Sequence, residues 1–237
     1  MASGASVTDA VAVQAMVDEA MMACGRIDIL VNNAGILCDK SFSKMTLDNF
    51  RLVVEVHLMG AVNCCKAAWD TMRAQDYGRI VMTTSSSGLY GKFGQSNYGA
   101  AKMALVGLMQ TLSIEGAKND IRVNCPAPTA ATRMTEHLMP EPVLKLLHAG
   151  AVTPGLLALV AEDAPTCAIL CAGAGAGAFE RAHITLTQGV FVGLPADAAE
   201  QVAMHFEALS ERSGETVPES GNAQGTLEIV KAMRAVG

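Results

Sequence analysis

Four short apolar runs, Ile27–Val31, Arg79–Thr84, Ile121–Cys125 and Ala168–Ala172, recur along the chain with longer amphipathic stretches between most of them. Each run is continuous and rich in apolar residues, as expected for strands covered on both faces. A strand–helix–strand repeat of this kind predicts an α/β fold with a parallel sheet and right-handed crossovers. Helices are expected at Asp9–Cys24, Thr46–Gln75 and Asn97–Lys118, with a shorter pair at Glu141–His148 and Pro154–Glu162.

The last sixty residues change character. Phe179–Leu194 reads as irregular or extended chain, Ala196–Ser213 as a helix, Gly214–Gly225 as a polar glycine-rich stretch, and Thr226–Ala235 as a short final helix. This segment has too few apolar residues for a second core. The expected organisation is one domain, with residues 1–178 as its core and 179–237 as a C-terminal extension.

Composition excludes several classes of function. The 23 carboxylates outnumber the 17 Lys and Arg, giving a net charge of −6 and no basic stripe for phosphate backbones, so a nucleic-acid partner is disfavoured. The two longest charge-free stretches, Leu146–Ala161 and Ala164–Phe179, are interrupted by proline and glycine and fall short of the ~20 apolar residues that a membrane span needs. Met1–Ser6 carries no positive charge and leads into no apolar core, so it is not read as a secretory signal, and a cytoplasmic location is expected. Seven cysteines without a C-x-x-C pair point to reduced, buried thiols and not to a metal site.

The chemistry concentrates in Tyr98-x-x-x-Lys102, which follows a strand ending in Ser85-Ser86-Ser87. A spacing of four puts Tyr98 and Lys102 on one helix face, where the ammonium would favour the phenolate and pull the tyrosine pKa down toward the working range. Tyr98 is then a candidate general acid/base. Ser85 would emerge at the C-terminal end of its strand, where open α/β sheets bind ligands, and could hydrogen-bond the same substrate oxygen. Upstream, Asn32-Asn33-Ala34-Gly35 closes the strand at Ile27–Val31. No G-x-S-x-G elbow surrounds Ser85, which argues against serine hydrolase chemistry.

With these motifs in register, the sequence resembles the short-chain dehydrogenase/reductase family. Within it, the chain is most similar to the (3R)-hydroxyacyl-CoA dehydrogenase units of the peroxisomal type-two multifunctional enzymes and their bacterial relatives. Further runs carry the resemblance: Gly25–Asp28, Asn32–Leu37, Val56–Leu58, Tyr77–Thr83, Gly88–Gly91, Phe93–Gln95, Asn97-Tyr98, Ala101-Lys102, Ala127-Pro128 and Arg133–Thr135, with Gly173–Gly175 and the tail from Phe206. The resemblance implies a Rossmann-like parallel sheet and hydride transfer between NAD(P), with NAD favoured, and a 3-hydroxyacyl thioester. It implies that Tyr98 exchanges the substrate proton, Ser85 orients the carbonyl, and Lys102 holds the nicotinamide ribose and tunes Tyr98. Asn33, Ala34 and Gly35 would line the adenosine and ribose region, and Pro128, Thr129, Ala130 and Thr132 would close over the nicotinamide. Ser6 and Val7 stand where the family has an Asp-Val pair at the adenine. His57 stands where the wider family has a catalytic asparagine; a proton-relay role is weighed against that of a satisfied helix histidine, and it is left off the catalytic set.

The family's phosphate-binding turn, Thr-Gly-x-x-x-Gly-x-Gly, does not occur in the sequence. Gly173-Ala174-Gly175-Ala176-Gly177 is only superficially similar, since no capped amphipathic helix follows it. The expectation is therefore a Rossmann-like fold short of its first two strands, with Ile27–Val31 as a hydrophobic sheet edge. Small residues on the helix at 97–118, Gly99, Ala100, Ala101, Ala104 and Gly107, permit close packing on the sheet or on a partner, and the resemblance favours a homodimer built on this helix and the one at 46–75. Two readings stay open: a thioester dehydrogenase with a Ser-Tyr-Lys constellation, and a cofactor-less homologue that dimerises or binds without turnover.

Overall fold

In the computed structural model, residues 1–132, 140–173, 178–192 and 196–236 are described. They fall into two compact units, Met1–Ala182 and His183–Gly237.

The first unit carries a five-stranded sheet in the order β1-β2-β3-β4-β5: β1 Ile29–Asn32, β2 Gly78–Met82, β3 Ile121–Thr129, β4 Ile169–Gly173 and β5 Ala178–Ala182. The first four strands are parallel and the last runs antiparallel to β4. The fold is Rossmann-like α/β, as the apolar runs predict. The fifth strand departs from the expected irregular or extended chain after Phe179. Its mostly exposed backbone carries Glu180 and Arg181, so it lacks the apolar run that marks the other strands, and charges of this kind suit a sheet edge.

Helices α1 Ala10–Cys24, α2 Leu47–Val54, α3 Gly60–Gln75, α4 Ser86–Tyr90, α5 Ser96–Gly116, α6 Glu141–Leu146 and α7 Thr153–Val160 complete this unit. Asp9 starts α1 by accepting the Val11 and Ala12 amides at 3.0 Å each, and Gly25 ends it in the left-handed conformation. The stretch expected as one helix over 46–75 is helical throughout from Leu47 to Gln75: Thr46 caps α2, and a π-helical turn, Glu55–Met59, joins α2 to α3.

Strand β2 shows why its sequence reads as a continuous run. Ile80 and Met82 pack with Met72 of α3 and with Leu105 and Met109 of α5, while Val81 joins Leu159 of α7 and Ala168. Both faces are covered, so neither can be polar. By contrast β1 pairs only with β2 among the described strands, and Ile29 and Val31 are 48% and 42% exposed. That is the apolar edge the sequence implies, and it corrects the expectation that all four runs are covered on both faces.

Arg79 has no surface at all, although it lies inside one of the apolar runs. Its guanidinium reaches the Asp120 carboxylate at 2.9 Å, the Asp120, Glu162 and Ala161 carbonyls at 2.6, 2.7 and 3.1 Å, and stacks 4.1 Å over the Tyr77 ring. A buried cation is tolerated only when it is paired this fully.

The second unit contains α8 Ala198–Met204, α9 Phe206–Leu209 and α10 Gly221–Val236, with a bridge between Leu186 and Thr216. No described side chain in this unit is fully buried.

Candidate functional site

The C-terminal ends of β1, β2 and β3 open onto one cleft of about 390 Å³. From β1 come Asn33 and Gly35, from β2 Thr83, Thr84 and Ser85, and from β3 Pro128, Thr129, Ala130 and Thr132. Helix α5 adds Tyr98 and Lys102, and the π turn adds His57. Strand order never reverses among the described strands, so the crevice is located by strand ends and not by a topological switch point.

Local bonds hold these side chains in place. Ser85 caps α4, its Oγ accepting the Ser87 amide at 3.2 Å. Asn97, completely buried, accepts the Tyr98 amide through Oδ1 at 2.7 Å and donates to the Cys38 carbonyl at 3.2 Å. Thr84 Oγ1 donates to the Lys102 carbonyl at 2.7 Å, fixing the end of β2 to α5. Gly88 of α4 sits so close to α5 that a Cβ there would lie 2.9 Å from Lys102 Cβ and from the Met103 amide nitrogen.

The electrostatics differ from the spacing argument. Lys102 Nζ donates to the Thr83 carbonyl at 2.5 Å and lies 5.4 Å from the centroid of the Tyr98 ring, over its face. Burial raises the Tyr98 phenol above its ordinary pKa, a hydrogen bond with Ser85 opposes this, and the Asp39 carboxylate adds to the rise. The expected lowering by Lys102 is therefore corrected: desolvation outweighs any help from the cation. Burial also pulls the Lys102 ammonium down to about 8, with Cys125 working in the opposite direction.

His57 is 3% exposed and stands edge-on to Tyr98 with ring centroids 5.2 Å apart. Its Nε2 lies 2.8 Å from the Ile36 carbonyl and 3.1 Å from the Ile36 amide, while Nδ1 is buried with no hydrogen-bond partner. Burial, then the neighbouring Lys102 charge, pull its pKa down to about 4, against the Ile36 bond. A Cβ on Gly35 would lie 2.3 Å from His57 Cε1, so the Asn-Asn-Ala-Gly run ends in glycine because an imidazole occupies that space. The description of a satisfied helix histidine is corrected on this point, since half of the ring's hydrogen-bonding capacity is unmet. His57 stands within a π-helical turn, a feature frequent at functional sites that the sequence does not signal.

Gln95 was also missed. It is buried at the cleft wall and donates Nε2 to Asp39 Oδ2 at 2.7 Å, leaving Oε1 buried and unpartnered. A carboxylate accepts only, so that bond fixes which way the amide points.

The sequence-predicted cofactor residues divide between two cavities. Asn33, Gly35, Tyr98, Lys102, Pro128, Thr129, Ala130 and Thr132 line the cleft, whereas Val7 and Ala34 line a second cavity of about 160 Å³ that shares Asn33, His57 and Lys102 with it. Val7 is held there by Asn63, which donates to its carbonyl at 2.9 Å, and by contact with Gly60. Ser6 lines neither cavity and hydrogen-bonds Thr8 at 2.9 Å. Arg133–Thr135 and Ala174–Gly177 lie outside the described residues. Gly173 abuts Thr129, where a Cβ would come within 2.9 Å of the Thr129 carbonyl oxygen, so its smallness serves the pairing of β3 with β4.

These side chains suit the nicotinamide-ribose end of a dinucleotide: an ammonium, a phenol and an asparagine share one cleft with Pro128, Thr129, Ala130 and Thr132. A pyrophosphate site is not built among the described residues. The α1 helix, which starts just after cavity-lining Val7, has its first amides taken by the Asp9 carboxylate, and an anion there would meet like charge.

Comparison with known proteins decides the family. The family model for short chain dehydrogenase matches residues 1–142. The chain belongs to the short-chain dehydrogenase family. It is similar to the mouse peroxisomal multifunctional enzyme type 2, with 49% identity over 148 residues, covering 62% of this chain and 20% of that one. A short-chain type dehydrogenase/reductase of Mycobacterium tuberculosis is 42% identical over 190 residues, 80% of this chain and 66% of that one. The structure of full-length peroxisomal multifunctional enzyme type 2 from Drosophila melanogaster superposes with a TM-score of 0.80 and 33% identity, over 98% of this chain and 41% of that chain. This short-chain dehydrogenase chain thus spans about a fifth of the mouse relative's length.

Proposed function

We propose that the chain is an oxidoreductase that transfers a hydride between NAD(P), with NAD favoured, and the 3-position of a 3-hydroxyacyl thioester. The observation that carries this reading is the convergence of Ser85, Tyr98 and Lys102 on one cleft at the strand ends. The resemblance of the sequence to (3R)-hydroxyacyl-CoA dehydrogenase units supports the thioester substrate.

When bound, the nicotinamide supplies or accepts the hydride. Tyr98 Oη holds the proton that the substrate oxygen gives or takes. The raised pKa of the phenol keeps this proton in place until a polar ligand enters, and suits Tyr98 to act as a general acid in the reducing direction. Ser85, which lines the same cleft as Tyr98, orients the same oxygen, and Lys102, with its carbon stem buried, presents its ammonium to the ribose hydroxyls.

Isothermal calorimetry with NAD on the 237-residue chain tests the reading. Binding is expected, with Tyr98→Phe abolishing turnover of a 3-hydroxyacyl thioester and leaving NAD affinity nearly unchanged. Retained turnover in Tyr98→Phe overturns the role of the phenol. The sealed start of α1 favours a second reading, a homologue that keeps the cleft without holding the dinucleotide; absence of binding at millimolar NAD selects it.

We also propose a homodimer built on α3 and α5. Val62, Lys66 and Trp69 of α3 and Leu108, Leu112 and Glu115 of α5 frame a shallow groove on these helices. Sedimentation should show a dimer that Leu112→Asp dissociates, and an unchanged sedimentation coefficient in that variant removes this face from the interface. A cytoplasmic location accompanies this reading; all seven cysteines are free thiols.

A further inference from the structure

Among the described residues, two buried side-chain atoms lack a hydrogen-bond partner, His57 Nδ1 and Gln95 Oε1, and both residues line the strand-end cleft. Buried polar atoms are rarely left unpaired, and two on one cleft mark where a polar ligand belongs. Gln95 is the more informative of the two, because the polarity of its amide is fixed from outside the cleft. It stands immediately before α5, three residues ahead of Tyr98, and is 5% exposed. Its backbone is held on both sides: the amide donates to the Lys92 carbonyl at 3.2 Å, and the carbonyl accepts the Gly99 amide at 2.7 Å. Nε2 donates to Oδ2 of the exposed Asp39 at 2.7 Å. A carboxylate cannot donate, so this bond turns Nε2 toward Asp39 and leaves Oε1 as an acceptor with nothing to accept.

The other groups around Tyr98 do not share this one-sided character. The hydroxyls of Ser85 and Tyr98 both donate and accept, and so serve a ketone and an alcohol alike. Lys102 donates only, and the oxygens of a ketone and of an alcohol both accept. His57 sets no preference, since Nε2 faces both the Ile36 amide and the Ile36 carbonyl and the ring is served with its proton on either nitrogen. An alcohol differs from its ketone by one O–H donor. That donor pairs Oε1 of Gln95, whereas a ketone leaves it unpaired and sets two carbonyl dipoles against each other. A site built to hydrogen-bond a hydroxyl discriminates against the analogue that lacks it. We propose that Gln95, oriented by Asp39, is a specificity-determining residue that makes the cleft bind the hydroxy form of its substrate more tightly than the oxo form. The inference rests on the dehydrogenase reading, in which both forms enter the cleft, and adds which of them is held. Asp39 acts through Gln95 and is a positioning residue.

The test is calorimetry on the whole chain carrying Tyr98→Phe, which blocks turnover, with NAD present in every titration. The ligands are two thioesters that differ only at C3, (3R)-3-hydroxybutyryl-N-acetylcysteamine and acetoacetyl-N-acetylcysteamine. The hydroxy form should bind at least about fivefold more tightly, the worth of one neutral hydrogen bond. Gln95→Met, which keeps the length and removes the acceptor, should bring the ratio to about one. Asp39→Asn, which allows the amide to turn over, should do the same, while Asp39→Glu should preserve the preference. Should Gln95→Met fail to fold, the Asp39 pair decides alone. Equal affinities in the parent chain, or tighter binding of the oxo form, overturn the proposal. A preference that survives both Gln95→Met and Asp39→Asn also overturns it, and one lost only in Gln95→Met removes the role of Asp39. The thioester reading fails separately, because cyclohexanol and cyclohexanone carry the same contrast without a thioester. A Gln95-dependent preference for cyclohexanol, with neither thioester bound, keeps the role of Gln95 and removes the thioester substrate; no preference in either pair overturns the proposal.

Discussion

Acid should destabilise this fold through His57 in a way that a neutral replacement abolishes. Nε2 faces the Ile36 carbonyl at 2.8 Å and the Ile36 amide at 3.1 Å, while the buried Nδ1 has no partner, so the doubly protonated ring has no acceptor for its Nδ1 proton. Charging the ring buries that unmet N–H and a charge beside Lys102. The folded pKa of about 4 against 6.5 for a free imidazole expresses that cost. Between those values the unfolded chain binds more protons than the folded one, so stability is intact above 6.5 and is lost as the pH falls toward 4. Linkage over this window gives a loss on the order of 2 kcal/mol between pH 7 and pH 5. Urea unfolding followed by the fluorescence of the single tryptophan, Trp69, reads the effect. With a slope of roughly 2.5 kcal/mol per molar urea, it moves the midpoint by about 0.7 M. His57→Gln cannot titrate, so its midpoint should move by that much less over the same pH change, while contributions from the other groups cancel in the comparison. Equal pH dependence in wild type and His57→Gln refutes the argument, because it means that the ring accepts its second proton at no cost.

Two further perturbations probe the frame around the cleft. Arg79→Met removes the buried cation that joins β2 to the Asp120 turn and to the Ala161 and Glu162 carbonyls, and should cost about 1–3 kcal/mol in urea unfolding through the carbonyls left without a donor; an unchanged midpoint would show that the guanidinium is dispensable. Gly35→Ala forces a Cβ into the His57 ring and should cost about 1–3 kcal/mol, most of which His57→Ala in the same chain should relieve, so that additive losses in the double variant contradict the contact.

The parallel sheet was legible because its signal is local. Continuous apolar runs bounded by helical stretches mark β2, β3 and β4, whose two faces are both covered, and Asp9 and Gly25 mark the ends of α1. The Tyr98–Lys102 spacing likewise needed only one helix. Features that depend on distant chain were not legible. β5 is a strand because β4 offers it a ladder, and its own residues, with Glu180 and Arg181 facing out, carry no strand period. Arg79 read as one more member of an apolar run because its acceptors lie about 40 and 80 residues away. The π turn at Glu55–Met59 lies within a stretch whose residues fit a regular α-helix.

The direction of the Tyr98 shift shows the same limit in the chemistry. Spacing establishes that an ammonium is within reach of a phenol, but the protonation state is set by how much water each group loses and by which acceptors compete for the cation. Here Thr83 takes the Lys102 proton donor, and burial moves Lys102, His57 and Tyr98 all toward their uncharged forms. One cause, loss of water, acts on all three neighbouring groups. A ligand that brings hydroxyls to Lys102 restores hydrogen bonds to its charged form, and the returning charge in turn favours the phenolate of Tyr98. The cation's activating effect, which the spacing suggests as a fixed property of the helix, is on this structure a property of the filled cleft.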